Sequence, residues 1–297
     1  MDWDKLRIFH AVAEAGSFTH AGEGLNLSQS AVSRQISHLE EEVGVDLFHR
    51  HARGLALTEQ GEVLFRTAHE MSAKLAMTEA LLSDVKEKPS GELKITTTVG
   101  FGSTWLTPRL KEFLEHYPDI SVHLVVDDRE LDLAMREADV AIRMREPVQS
   151  DLVRRKLVTV NYHVFAAPEY LARHGTPQNI ADLVNHNLII YGDQAPSVIQ
   201  DVNWLLRVDA NKKDRRHALL KVNNIYGVLR AAESGLGIAA LPDYMISPNS
   251  TTLVQILPDL AGPTFDTYFV YPEELRKSKR IAVFRDFLIQ KVAEGHF

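Results

Sequence analysis

The chain has 297 residues, 45% of them hydrophobic and 25% charged, with a formal net charge of −7 and no cysteine. These values exclude a disordered or collagen-like chain, and the missing thiol excludes disulfides, zinc fingers, cysteine nucleophiles and cysteine redox switches. No apolar run reaches the roughly 18–20 residues of a membrane helix, and the opening Met1-Asp2-Trp3-Asp4 is acidic where a signal peptide is basic, so a cytoplasmic protein of two domains or one large one is expected.

Charge becomes informative once divided. Residues 1–90 hold 9 Lys+Arg against 14 Asp+Glu, so this part is not basic by composition, and a nucleic-acid function has to rest on where its few cations sit. Leu6, Phe9 and Ala13 recur at helical spacing up to Gly16. Ser17 then caps a short helix from Phe18 to about Gly24, with Phe18, Ala21 and Leu25 inward. Asn26-Leu27 makes a tight connection, and Ser28 is an N-cap for a third helix. On that helix Val32, Ile36, Leu39 and Val43 form one stripe. Ser30, Arg34, Ser37 and Glu41 lie opposite, with Gln29 and Ser33 on the flanks of the first turn.

Three helices, a tight middle turn and an exposed face of small polar residues with one arginine form a helix-turn-helix pattern. Gln and Arg offer bidentate geometry to base edges, and Ser fits close to a base or phosphate. Glu41 repels phosphate, which confines contact to the first two turns. Three-helix packing alone also occurs in proteins that never touch DNA. The next segment sharpens the reading: Leu47–Arg50 and Leu55–Leu57 are β-like pieces joined through His51-Ala52-Arg53-Gly54, a winged hairpin with a basic tip. No carboxylate occurs from Ser28 to His38 or from Phe48 to Leu57, so Arg34, Arg50 and Arg53 concentrate positive charge locally. Arg53 at the tip suits a minor groove.

Thr58 caps a long helix in which Leu64, Ala68, Met71, Leu75, Thr78, Leu82 and Val85 step by alternating fours and threes, a heptad seam. Such a stripe also serves a helix packed on its own domain. Its narrowness favours a homodimer, which would set two recognition helices on successive half-sites. Lys88-Pro89-Ser90-Gly91 ends the helix as a hinge.

At this point the chain resembles the LysR-type transcriptional regulators. The resemblance is carried by Phe9, Ala13-Glu14-Ala15-Gly16-Ser17-Phe18, Ala21, Leu27 through Ile36, Leu39 through Gly44, Leu47-Phe48, Arg50 and Leu57-Thr58-Glu59-Gln60-Gly61. Thr96-Thr97-Thr98, Tyr162-His163 and the run Glu130–Glu146 look most like its VtlR/LsrB subgroup. The family implies a winged helix-turn-helix over residues 1–58, a linker and dimerisation helix with hinge over 59–90, and an effector-binding regulatory domain over 91–297. It implies contacts with promoter DNA through Gln29, Ser30, Ser33, Arg34 and Arg53, a homodimer assembling to a homotetramer, contact with RNA polymerase, and residence on the bacterial nucleoid when DNA is bound. Many members carry Pro where Ser30 stands, which leaves base preference there open. Cysteine redox sensing, associated with some members of the subgroup, is excluded by composition.

From Glu92 strands alternate with helices. Leu93–Val99 and Ile120–Val126 are β-branched and apolar, with an amphipathic stretch (Leu106, Leu110, Phe113, Leu114) between them. Val140-Ala141-Ile142, Leu188–Tyr191 and Ile238–Leu241 read as further buried strands, which argues for α/β packing on a mostly parallel sheet. By resemblance this is the two-lobed fold of periplasmic binding proteins, with lobe I from 92–161 plus 267–297 and lobe II from 162–266. Ligands on such sheets sit at strand C-termini against helix N-termini. The candidate effector residues are therefore Thr98, Gly100, Phe101, Ser103 and Thr104 after the first strand, Asp128 and Arg143 after two others, and Asn223 before a helix of lobe II. Helix capping by Thr and Ser, and an ion pair of Arg143 with Glu130 or Glu146, are the structural alternatives.

The basic run Lys212-Lys213-Asp214-Arg215-Arg216 reads as a solvated loop, and His49-x-His51 lacks a third metal ligand nearby. No nucleophile elbow, P-loop or complete dinucleotide fingerprint occurs. A DNA-binding regulator modulated by a small co-inducer, with no catalytic residue, no metal and no cofactor, is the reading. A solute-binding protein or an enzyme on the same scaffold are its rivals, each resting on the second half alone.

Overall fold

Local capping writes most of the first unit. In the structure, a computed structural model that describes residues 2–51, 54–83, 88–134, 137–192, 201–208, 216–246 and 251–295, the chain divides into two units, Met1–Ser83 and Asp84–Phe297. Helix α1 (Trp3–Ala15) starts where the Asp2 carboxylate accepts the Lys5 N–H at 2.9 Å and stops at Gly16, whose φ of 58° favours glycine. Helix α2 (Phe18–Leu25) begins at Ser17 and ends at the left-handed Asn26, and α3 (Gln29–Val43) begins where the Ser28 hydroxyl accepts the Ala31 N–H. The turn between α2 and α3 is tight enough that a Cβ on Gly22 would sit 2.6 Å from the Leu27 carbonyl oxygen. Phe9, Val12, Val32, Ile36 and Leu39 are fully buried together, so the apolar stripes of α1 and α3 face one core.

The wing is a two-stranded antiparallel hairpin, β1 (Phe48–His51) and β2 (Gly54–Leu57), one residue longer at its tip on each side than the sequence suggests. Thr58 then starts α4 (Glu59–Ser83): its hydroxyl donates to the Asp46 carbonyl at 2.8 Å and accepts the Gly61 N–H at 2.9 Å.

Among the described residues the second unit is a nine-stranded mixed sheet with helices against it. Strands β3 (Gly91–Thr97), β4 (Ile120–Val126) and β5 (Val140–Arg143) run parallel, and α5 (Val99–Phe101), a π-helical turn over Gly102–Leu106 and α6 (Thr107–His116) connect the first two. The long β6 (Leu152–Ala166) leaves this group and enters the next, made with α7 (Pro168–His174), β7 (Asn187–Tyr191), β8 (His217–Val222), α8 (Ile225–Glu233), β9 (Ile238–Pro242) and β10 (Val254–Ile256). β11 (Thr264–Pro272) returns antiparallel to both β6 and β5, and α9 (Lys279–Ala293) packs back with Phe284 and Phe287 on Phe113.

The sheet corrects one expectation. β7–β8 and β7–β9 are parallel, like β3–β4 and β3–β5, but every pairing of β6 or β11 is antiparallel. The sheet is mixed because two strands cross between lobes in opposite directions. β6 pairs with β11 up to Asn161 and with β9 from Tyr162, and β11 begins at Thr264. Among the described residues no helix is long and apolar enough to cross a membrane.

Candidate functional site

The first candidate surface is the N-terminal half of α3. Burial of Val32, Ile36 and Leu39 turns the opposite side outward, so that Gln29, Ser30 and Arg34 are exposed and Ser33 and Ser37 are half-buried. Arg34 lies back along its own helix, its Nε donating to the Ser30 carbonyl at 3.2 Å, and the Ser28 and Ser30 hydroxyls are 3.1 Å apart. Two of the three glutamates in the Glu40-Glu41-Glu42 run are engaged elsewhere. Glu40 accepts the Leu47 N–H at 2.9 Å and the Phe48 N–H at 3.3 Å, which ties α3 to the wing. The Lys5 ammonium, 2.8 Å from Glu42, holds that carboxyl down at about 2. In the wing Arg50 pairs with Leu55 in the hairpin register, and Arg53 lies outside the described residues.

The proposed dimer seam divides along α4. Ala68 is 1% exposed within the core of its own unit, and the partly buried Leu64 packs against the same core. The same 4-3 spacing serves both purposes, and the first turns of α4 lie on α1 and β2. Met71 and Leu75 stay 42% and 45% exposed and line an open groove with Trp3, Lys74 and Thr78. The Leu82 side chain and all of Val85 lie outside the described residues.

The second candidate surface lies between the lobes. After β4, the buried Asp128 carboxylate accepts the Val99 N–H at 3.0 Å and the Tyr191 hydroxyl at 2.7 Å. Val99 opens α5 of lobe I and Tyr191 ends β7 of lobe II, so one carboxylate holds both lobes. Burial and the adjoining Asp128 push the Tyr191 phenol up, which keeps it a neutral donor. Tyr162, at the crossover, is raised by burial and by the same carboxylate. Its hydroxyl and that of Thr98 are buried and have no hydrogen-bond partner among the described residues. Such orphaned groups each cost about 1–3 kcal/mol and mark places that polar atoms of a ligand or water satisfy.

The effector candidates sort accordingly. Thr98, Asp128 and Arg143 meet at one shallow pocket of lobe I, together with Glu130 and Leu131. Arg143 is buried there, donating to the Leu131 carbonyl at 3.1 Å and to Gln149 at 3.3 Å, while Glu130 pairs with Arg145 and Glu146 with Arg154. Neither expected ion pair of Arg143 forms, because those carboxylates have nearer guanidiniums.

Gly100 does permit a close approach, but by protein: a Cβ there would overlap Ile225 and sit 3.1 Å from the Tyr244 hydroxyl, both of lobe II. Phe101 is a core residue, fully buried and stacked on Trp105 at 4.8 Å with Tyr244 edge-on at 5.3 Å. Thr104 is tied to its own helix by a 2.8 Å bond to the Gly100 carbonyl, and Ser103 and Asn223 are exposed. Asn223 touches its neighbour Asn224, which does the capping of α8. Tyr162, Tyr191 and Tyr244 were not legible as site residues: each ends or follows an apolar run, and nothing local links Tyr191 to a carboxylate 63 positions away. The basic run at 212–216 lies outside the described residues except Arg216, which donates to the carbonyls of Leu205 and Ile180.

Comparison with known proteins gives the context. Residues 3–62 match the family model described as a bacterial regulatory helix-turn-helix protein, lysR family, and residues 86–293 match the LysR substrate binding domain. The chain is 34% identical to the HTH-type transcriptional regulator CrgA of Neisseria meningitidis, covering 98% of this chain and 97% of that protein. It is 33% identical to the regulator DmlR of Escherichia coli, with 98% and 94% covered. Among solved structures it is similar to full-length AphB, a virulence activator of Vibrio cholerae (TM-score 0.62, 28% identity, 98% and 99% covered), and to CrgA (TM-score 0.60, 30% identity, 98% and 99% covered).

Proposed function

Because this chain belongs to the LysR family of transcriptional regulators, with a helix-turn-helix DNA-binding domain and an effector-binding domain, we propose a division of its labour residue by residue. Residues 1–58 read DNA, 59–90 join subunits, and 91–297 sense an effector between lobe I (92–161 plus 267–297) and lobe II (162–266). The first two turns of α3 enter the major groove, with Gln29 and Arg34 on base edges and Ser30, Ser33 and Ser37 on bases or phosphates. Arg50 and Arg53 neutralise the backbone beside the wing. Met71 and Leu75, exposed apolar groups on α4, pack in a homodimer that assembles further to a tetramer. The protein occupies the nucleoid and contacts RNA polymerase once bound. Its placing in the VtlR/LsrB subgroup rests on Thr96–Thr98, Tyr162-His163 and the run Glu130–Glu146.

The effector acts on the Asp128–Tyr191 contact. A small polar molecule that satisfies Thr98 and Tyr162 competes for Asp128 and changes the spacing of the lobes, and with it the arrangement of subunits on DNA. The single observation that carries the DNA reading is the polar first turn of α3, exposed opposite a fully buried stripe. Selection of bound sequences from random duplex DNA by the purified full chain tests it. Enrichment of an inverted repeat, abolished by Arg34→Ala, is expected; recovery of unselected sequence contradicts it.

A further inference from the structure

Outside both candidate surfaces, α1 and α4 bring together three side chains that metal ions favour. His10 and Glu14 stand one turn apart on α1, hence on one face, and His69 reaches them from α4. His10 Nε2 lies 2.7 Å from His69 Nδ1, and Glu14 oxygens lie 3.6 Å from His10 Nδ1 and 3.9 Å from His69 Nδ1. One ligand atom from each residue falls within 4.8 Å of the other two. The spacing of 59 positions between the histidines gave no sequence signal.

The surroundings suit a bound cation. The imidazoles are largely enclosed, with side chains 12% and 21% exposed, while the Glu14 side chain is 53% exposed. Phe65, one turn before His69 on α4, lies parallel to the His10 ring at 5.4 Å and 5.6 Å from the His69 ring, which limits how either ring turns. Enclosed, oriented nitrogens beside an open carboxylate leave the solvent side for water. In the structure the two nitrogens are at hydrogen-bond distance. Tetrahedral coordination with bonds of roughly 2.0–2.1 Å separates ligand nitrogens by about 3.3 Å, so the rings must part by roughly 0.6 Å.

We infer that His10, Glu14 and His69 form a divalent transition-metal site of the zinc class, with water as the remaining ligand, that clips the DNA-reading head to the linker helix. Two imidazole nitrogens with one carboxylate select zinc-like ions over magnesium or calcium, which prefer an all-oxygen shell. The position argues for a structural or regulatory ion. The clip fixes how α4 leaves the head, and therefore how far apart the two heads of a dimer stand. Metal binding to this site does not depend on the DNA reading, so either can fail alone.

The test is titration of the chelator-stripped full chain with Zn2+ followed by calorimetry, with Mg2+ as the control and Co2+ absorption reporting coordination geometry. One Zn2+ per chain is expected, with affinity at least tenfold weaker in both Glu14→Gln and His69→Gln, and intense visible bands of four-coordinate Co2+ in the wild type only. Glu14→Gln changes a half-exposed side chain with little change in size, so its melting curve without metal should match the wild type. Absence of Zn2+ binding at about 100 µM, unchanged binding in both variants, or equal binding of Mg2+ would overturn the assignment.

Discussion

Tyr191→Phe isolates the contact between the lobes. The substitution keeps the ring and deletes one hydroxyl, which donates at 2.7 Å to the buried Asp128 carboxylate. A hydrogen bond to a charged group contributes about 1.5–3 kcal/mol, and its loss leaves one carboxylate oxygen poorly satisfied while the Val99 N–H still holds the other. At about 1.4 kcal/mol per tenfold, opening of the lobes becomes about 10- to 150-fold more frequent. Hydrogen exchange on the full chain reads this directly, because amides at 99–102 and 225–229 are sealed where Gly100 meets Ile225 and Tyr244. Their exchange should accelerate by that factor while amides of the β6–β11 ladder stay unchanged. Acceleration below about threefold would refute the latch, and equal acceleration in the β6–β11 ladder would show global loosening instead.

Three further outcomes are expected. Arg34→Ala should weaken binding to the selected sequence by about 1–3 kcal/mol and relax one base position, read by fluorescence anisotropy; equal affinity would misplace the recognition helix. Leu75→Asp puts a charge in the proposed dimer groove and should raise the dimer dissociation constant more than about a hundredfold, so a dimer that persists at micromolar concentration in sedimentation would rule the groove out. His186 is pushed down mainly by burial, with His174 adding to the shift. The folded state then disfavours its protonation, so its contribution is full above the unfolded value near 6.5 and is lost as pH falls through the lower folded value. Melting temperature should therefore drop less steeply below about pH 6.5 in His186→Gln than in the wild type, and parallel curves would exclude His186 as the group.

Sequence periodicity reached some features and missed others for identifiable reasons. The stripe on α3, the caps at Ser17 and Ser28 and the ends of β4 are local, set by spacing and by side chain to backbone bonds, and all were legible. β6 was not, because Arg154-Arg155-Lys156 and the partly exposed start of that strand hide its inward positions until Val160. Phe101 follows a glycine at the end of a strand, as a ligand contact does, yet only the packing of Trp105 and Tyr244 shows it to be core. The heptad spacing of α4 is the same whether a partner helix or the chain's own α1 covers it, so Ala68 and Leu75 were indistinguishable before their burial was known. Asp128–Tyr191 and His10–His69 join distant segments, and no spacing rule reaches them.

Occupancy of the tagged full chain across its own genome, with Arg34→Ala as the paired control, tests the central claim most directly. Discrete peaks that share an inverted repeat and vanish in the variant are the predicted result. Occupancy without discrete peaks, or peaks indifferent to Arg34, would contradict sequence reading by α3.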